Sequence, residues 1–183
     1  MRGTRGGPPF EGLTLSNPGA KVISMLRRRL ISVAVATAFC ALLVASGAAA
    51  ASSLSPAEAG LVQAVNATRA AHGLQPLSLD PTLTRAARLH NTEMIRGGYF
   101  AHGNFAGRML AFHVHGSFLA ENLAWGSGGY ASAGAVISEW LHSPRHRANL
   151  LRPSFTRIGI GAVQGRFLGN GGSTVVTADF AGT

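Results

Sequence analysis

The sequence predicts an α+β domain in which helices pack on a small antiparallel sheet, and three observations carry that prediction. Capped amphipathic helical patterns dominate the chain from Ser55 to Leu141, two alternating β-rich runs come only near the end, and a glycine-rich turn joins those runs. The 183 residues allow about one domain, which excludes a large multidomain enzyme. At 46% hydrophobic and 13% charged residues the chain is too apolar for a disordered tail, and its 24 glycines follow no collagen period.

Residues 1–51 read as an address rather than a fold. The uncharged run from Leu30 to Val44 follows the cluster Arg27-Arg28-Arg29 and precedes small residues around Ala48 to Ala51, the layout of a secretory signal cleaved near Ala50 or Ala51. The run is shorter than the ~20 residues a spanning helix needs, so membrane contact is expected only if the signal stays uncleaved. A Gly/Pro-rich stretch before the basic cluster makes Met25 the expected start of translation. Cys40, the single cysteine, lies inside the apolar run, so the mature domain, residues 52–183, carries no thiol and no disulfide.

Within that domain, Ser55-Pro56-Ala57-Glu58 reads as a capping box with proline at the first helical position, opening a helix that Gly73 closes. Asp80-Pro81 caps a second helix, in which Leu83, Ala86, Ala87, His90 and Met94 recur at helical spacing up to Gly97-Gly98. Phe105 to Phe112 is weakly helical, and Ala133 to Leu141 forms a fourth helix that Pro144 interrupts. A short strand is expected through Phe118 to Trp125. Arg157 to Val163 and Ser173 to Phe180 alternate as strands, with Gly169-Asn170-Gly171-Gly172 as the hairpin turn between them. Gly159 and Gly161 lie inside the first of these strands with no helix following, so they allow close packing rather than forming a nucleotide loop.

The formal net charge of +9 points to nucleic acid only if it covers the folded part. Five of those nine charges precede Ser52, and the remaining basic residues are arginines scattered singly between apolar stretches. No stripe suited to tracking phosphates appears, so nucleic acid is not an expected partner.

The mature part holds six acidic residues and seven histidines, concentrated between His90 and His146. His102, Glu121 and His146 supply the donor types that a divalent cation such as zinc takes, but no two are close in sequence, and spacing alone does not join them. His90 lies on the apolar face of its helix and reads as a satisfied core histidine. His113-x-His115 reads as part of a solvated loop. His142 and His146 imitate a helical metal pair, yet Pro144 separates them and no glutamate follows His142, so this is not a metalloprotease motif. Asn122 and Asn149 read as residues that hydrogen-bond loop backbone.

An ordered series of motifs carries a resemblance. It comprises Asn66-x-x-Arg69-x-x-x-Gly73-Leu74-x-Pro76-Leu77-x-x-Asp80-x-x-Leu83, Ala87-x-x-His90-x-x-x-Met94 and Phe100-x-His102, then Glu121-Asn122-Leu123-Ala124, Trp140-x-x-Ser143-Pro144-x-His146-Arg147-x-Asn149-Leu150-Leu151 and Ile158-Gly159-Ile160-Gly161. Over residues 58–180 this resembles the CAP superfamily, the SCP/PR-1-like group of cysteine-rich secretory proteins, antigen 5 and pathogenesis-related 1, in its short bacterial form. The resemblance implies an α-β-α sandwich with a central cleft lined by two histidines and two glutamates. His102, Glu121 and His146 match three of these; the fourth position falls on Ser143, with Glu139 the nearest carboxylate, and a one-residue offset on a helix turns a side chain by about 100°.

The expected function is therefore a secreted binding module whose cleft takes a small molecule, lipid or peptide, with zinc or another divalent metal held by His102 and His146. Such a pair of imidazoles would release the metal on acidification through the ~6.5 reference pKa of histidine. The alternative is a metal-assisted hydrolase or peptidase with Glu121 as general base, the one catalytic assignment the motifs offer.

Overall fold

A computed structural model of the chain describes residues 53–183. The expected leader, its cleavage region, Met25 and Cys40 lie outside the described residues. In chain order the elements are α1 (Pro56–Ala71), β1 (Ser78–Leu79), α2 (Pro81–Gly97), α3 (Phe105–Ala111), β2 (Phe118–Ser127), a 3-10 turn (Gly128–Ala131), α4 (Ala133–His142), α5 (Pro144–Leu150), β3 (Phe155–Phe167) and β4 (Asn170–Gly182). No described helix is long and apolar enough to cross a membrane.

The α+β class is borne out, and the helix starts follow the expected capping chemistry. Ser55 accepts from the Glu58 amide while Glu58 accepts from the Ser55 amide at 2.7 Å, closing the capping box of α1. Asp80 Oδ1 accepts the amides of Thr82 and Leu83 at the start of α2, and Gly98, in the left-handed region, ends it. Pro144 does break the helical pattern after Ala133, but it also sits at the first position of a further helix, α5, where a missing N–H is harmless. Five α-helices result among the described residues, one more than expected.

The four strands stand in the order β1-β3-β4-β2. β2 and β3 flank β4 antiparallel, as expected, whereas the two-residue β1 adds parallel to β3 and makes the sheet mixed. The hairpin turn is shorter than the glycine cluster suggested: Phe167 pairs with Asn170, and Leu168 and Gly169 between them both have positive φ, the requirement of a tight two-residue hairpin loop. Gly171 and Gly172 belong to β4.

Alternation along β4 sorts the core into two layers. Val176, Ala178 and Phe180 join Leu61, Val65, Val136, Trp140 and Leu150 in a cluster with α1, α4 and α5. On the opposite face, Val175 packs with Met94, and Ala181 with Leu83 and Met109, under α2 and α3. The sandwich is therefore helix, sheet, helix.

Two polar devices bind the first layer, the fully buried Arg69 and the partly buried Asn66. The Arg69 guanidinium donates to the carbonyls of Gln75, Leu150 and Arg152 at 2.9–3.0 Å, tying α1 to the exit of α5, and Asn66 exchanges two hydrogen bonds with the backbone of Leu77. Glu58 also accepts from Arg88 of α2 and from the Ala162 amide of β3, so the residue that starts α1 covers a sheet-edge N–H beyond the end of β1.

The second layer depends on close approach. A Cβ on Gly159 would lie 2.2 Å from the Leu83 carbonyl carbon and the Thr84 amide nitrogen of α2, and one on Gly161 would lie 2.7 Å from the Arg88 amide. Gly159→Ala is therefore expected to lower stability by about 3 kcal/mol or more, because backbone cannot move aside as a flexible side chain can. Gly171→Ala, at a site with nothing within 4 Å, should stay within about 0.5 kcal/mol of the parent. Urea unfolding of the two variants checks both values.

Candidate functional site

Glu121 and Asp179 face one another across the β2–β4 ladder, and both side chains point to the α2 side. Two carboxyls buried this closely need compensation. Arg108, projecting from α3, supplies it through a hydrogen-bonded ion pair with Glu121 Oε2. The other Glu121 oxygen, Oε1, accepts the Nδ1–H of His102 at 2.7 Å. His102 sits in the loop between α2 and α3 and is 57% exposed, while the Glu121 side chain is only 2% exposed. With Nδ1 donating inward, Nε2 of the neutral ring is left as an acceptor. A buried ion pair thus fixes the tautomer and orientation of an exposed imidazole.

His146 reaches the same place from α5, on the opposite layer. Asn122, the next residue of β2, points away from Glu121 and donates to the His146 carbonyl at 3.0 Å; Asn149 donates to Asn122 Oδ1 at 3.0 Å. Asn122 thus bonds backbone as expected, and Asn149 does so through a second contact, to the Glu121 carbonyl at 3.4 Å. His146 is half-buried, its Nδ1 has no hydrogen-bond partner among the described residues, and its pKa is held below the ordinary histidine value by burial and then by the neighbouring His102. His102, Glu121 and His146, far apart in sequence, are therefore gathered around β2.

Of the other histidines, His90 comes near this network from α2, its Nε2 3.9 Å from Glu121 Oε2. His90 is buried, with Nε2 donating to the Ala101 carbonyl at 3.0 Å, and burial and then Arg108 depress its pKa. His142 and Glu139 line a different cavity beside Trp125 and Tyr130, so Glu139 does not replace the fourth cleft position. A cavity of about 250 Å³ opens beside the network, lined in part by His90, Tyr99, Gly103, Asn104 and Arg108.

The donor set does not complete a metal centre of the kind zinc requires. Both Glu121 oxygens are engaged, one of them by a guanidinium, and among the described residues no group of three His, Cys, Asp or Glu side chains is arranged around a common point. Two imidazoles remain, fewer than the three protein ligands of even an open catalytic zinc site.

Arg108 escaped the sequence reading of this site, and Asp179 enters that reading only as a carboxylate that would pair with Glu121 if the fold brought the two together. Neither lies in a motif, although the even spacing between Asp179 and the interior of an alternating strand could have marked it as a buried carboxyl. Neither Asp179 oxygen has a hydrogen-bond partner among the described residues; burial first, and then the Glu121 charge, push its pKa well above the usual carboxylate range, against the opposing pull of Arg108. A raised carboxyl pKa means that the folded state keeps a proton the unfolded chain releases. Stability then falls as pH rises from the unfolded value near 3.8 through the folded one, and stays lower above it. Asp179→Asn, which keeps the shape and removes the charge, should gain on the order of 1 kcal/mol at neutral pH and above, with the gain vanishing below about pH 3.8. Denaturant unfolding across that range measures the difference.

Residues 62–180 match the CAP family, described as the cysteine-rich secretory protein family. The chain is 36% identical over 118 residues to YkwD of Bacillus subtilis (strain 168), an alignment covering 62% of this chain and 45% of that protein. It is 30% identical over 109 residues to the membrane protein YlbC of the same strain, covering 57% and 31%. The chain thus spans less than half the length of these curated relatives. Among solved structures, an extracellular protein containing an SCP domain from Bacillus anthracis superposes with a TM-score of 0.58 at 26% identity, over 72% of this chain and 45% of that one. An outer surface protein of Borrelia burgdorferi shares the fold, with a TM-score of 0.57 at 20% identity, over 67% and 90%. The match over residues 62–180, which takes in β2 and the helices packed around it, makes this chain a member of the CAP family.

Proposed function

We propose that the domain is a secreted or surface-exposed binding module, and that a ligand docks where His102 and His146 meet around β2. The observation that supports this most directly is the use of Glu121: a buried carboxylate spends both oxygens holding Arg108 and the exposed His102. Burying an ion pair is expensive in desolvation and seldom a net gain over apolar packing. An oriented acceptor at the surface is what such a network supplies. The half-exposed rings of Tyr99 and Phe100 lie two or three residues from His102 in the chain and add apolar area, so a ligand with a polar group on an apolar body fits the chemistry. The class comprises small molecules, lipids and peptides with a hydrogen-bond donor.

Extracellular placement is supported by the signal-like segment of the sequence and by relatives described as an extracellular protein and an outer surface protein. The hydrolase alternative with Glu121 as general base is weakened by the same contacts, since both oxygens already accept, from Arg108 and from His102, and the side chain is buried away from bulk water.

Native mass spectrometry of the protein recovered from a secreting host, with thermal shifts against panels of lipids and peptides, tests the reading. A bound species or a shift in melting temperature is expected for the parent and is expected to be lost in His102→Ala. No species and no shift from any panel would refute a binding role for this cleft. Peptide or ester hydrolysis that Glu121→Gln abolishes, with the variant's fold retained, would instead establish the alternative.

A further inference from the structure

A second cavity, of about 660 Å³, lies at the far end of β2 and shares no lining residue with the His102 cleft. Its shape is built into the backbone. Gly126 has no side chain, and the turn after β2 folds back over it so closely that a Cβ there would lie 2.7 Å from the Tyr130 carbonyl oxygen. That return holds the Tyr130 ring at the rim, 82% exposed, across from Trp125 in the strand. The other wall is one face of α4: Ala135, Ser138, Glu139 and His142 follow the i, i+3, i+4, i+7 pattern of residues that share a helix face.

Two polar groups on this wall, beside the Ser138 hydroxyl, offer acceptors. His142 Nδ1 donates to the Ser138 carbonyl at 2.7 Å, so Nε2 of the neutral ring carries a lone pair. The Glu139 carboxylate makes no hydrogen bond or ion pair among the described residues. No lysine or arginine among the described residues lines the cavity, although the domain carries ten arginines. Aromatic rings, a free carboxylate and an imidazole acceptor together complement a cation that carries several N–H donors. A guanidinium meets this description better than an ammonium, because its planar fork can stack on an aromatic ring while its edge reaches two acceptors. The volume falls within the range of built ligand pockets and exceeds what one side chain fills, leaving room for the neighbours of that side chain.

We propose that this cavity is a second binding site, which takes the arginine side chain of a peptide between Trp125, Tyr130 and Glu139. The proposal is independent of the reading of the His102 cleft.

Titration calorimetry of the full protein with the peptide acetyl-Gly-Arg-Gly-amide tests it, beside the same peptide with neutral citrulline in place of arginine and beside ethylguanidinium. The arginine peptide is expected to bind saturably, the citrulline peptide about tenfold more weakly, and ethylguanidinium more weakly than the peptide while competing with it. Glu139→Gln and Tyr130→Ala, both at exposed positions, should each weaken the arginine peptide by about three- to tenfold, and His102→Ala should leave it unchanged. Equal binding of the arginine and citrulline peptides, unaltered affinity in Glu139→Gln, or the absence of saturable binding would overturn the proposal. Ethylguanidinium binding as tightly as the peptide would overturn its peptide part. Loss of arginine-peptide binding in His102→Ala would move the ligand to the other cleft.

Discussion

The close approach of α2 to β3 sets the conditions under which the rest of the molecule is arranged. With no side chain at Gly159 or Gly161, the backbone of Leu83, Thr84, Ala87 and Arg88 lies directly on the sheet. At that depth the next turns of α2 bring Asn91 and His90 over β4 and β2, where water has no access. Polar groups so placed must find protein partners. Asn91 Oδ1 accepts from the Thr177 hydroxyl, and His90 donates to the Ala101 carbonyl, which pins the loop that presents His102. A packing constraint in the core thereby determines where a surface imidazole stands.

The carboxyl pair illustrates how burial separates two chemically similar groups. Glu121 is long enough to reach Arg108 and His102, so its charge is compensated on both oxygens. Asp179, one methylene shorter and on the central strand with helices on both faces, reaches neither and keeps its proton more tightly. One carboxyl faces the site and the other lies behind it. The difference in their partners follows from side-chain length and strand position.

What the sequence disclosed is local. The capping box of α1, the Asp80 cap and first-position proline of α2, and the alternation of β3 and β4 involve residues within a few positions of each other, and these features appear where the sequence places them. The family motifs reached further, because an ordered series spanning most of the domain implies the sandwich. Features made through space were not legible. β1 has two residues and owes its existence to the exposed start of β3 beside it, a partner 79 positions away. Pro144 was read as a stop, though the same missing N–H suits a start. Arg108 lies in a short helix with no motif, and only the fold reveals that its charge offsets Glu121. In the hairpin, Gly169 to Gly172 read as the turn, but the register of two long strands places it at Leu168 and Gly169, and Leu168 carries no turn signal of its own.

The position of β2 explains why the candidate site forms where it does. Successive residues of a strand point to opposite faces, so Glu121 addresses α2 and α3 while Asn122 addresses α5. In a central strand such as β4, groups belonging to the two helical layers would be separated by the sheet and the ~10 Å spacing on either side of it. β2 stands at the edge, with a hydrogen-bonded neighbour on one side only. Around that open edge His102, from the α2–α3 loop, and His146, from α5, come near enough for His102 to depress the pKa of His146. The two histidines are held by separate anchors on adjacent residues of the same strand, Glu121 on the ring of His102 and Asn122 on the backbone carbonyl of His146. A shift of β2 along β4 by one residue would exchange the faces and detach both anchors at once, so the fidelity of the β2–β4 register is a condition for having a site at all.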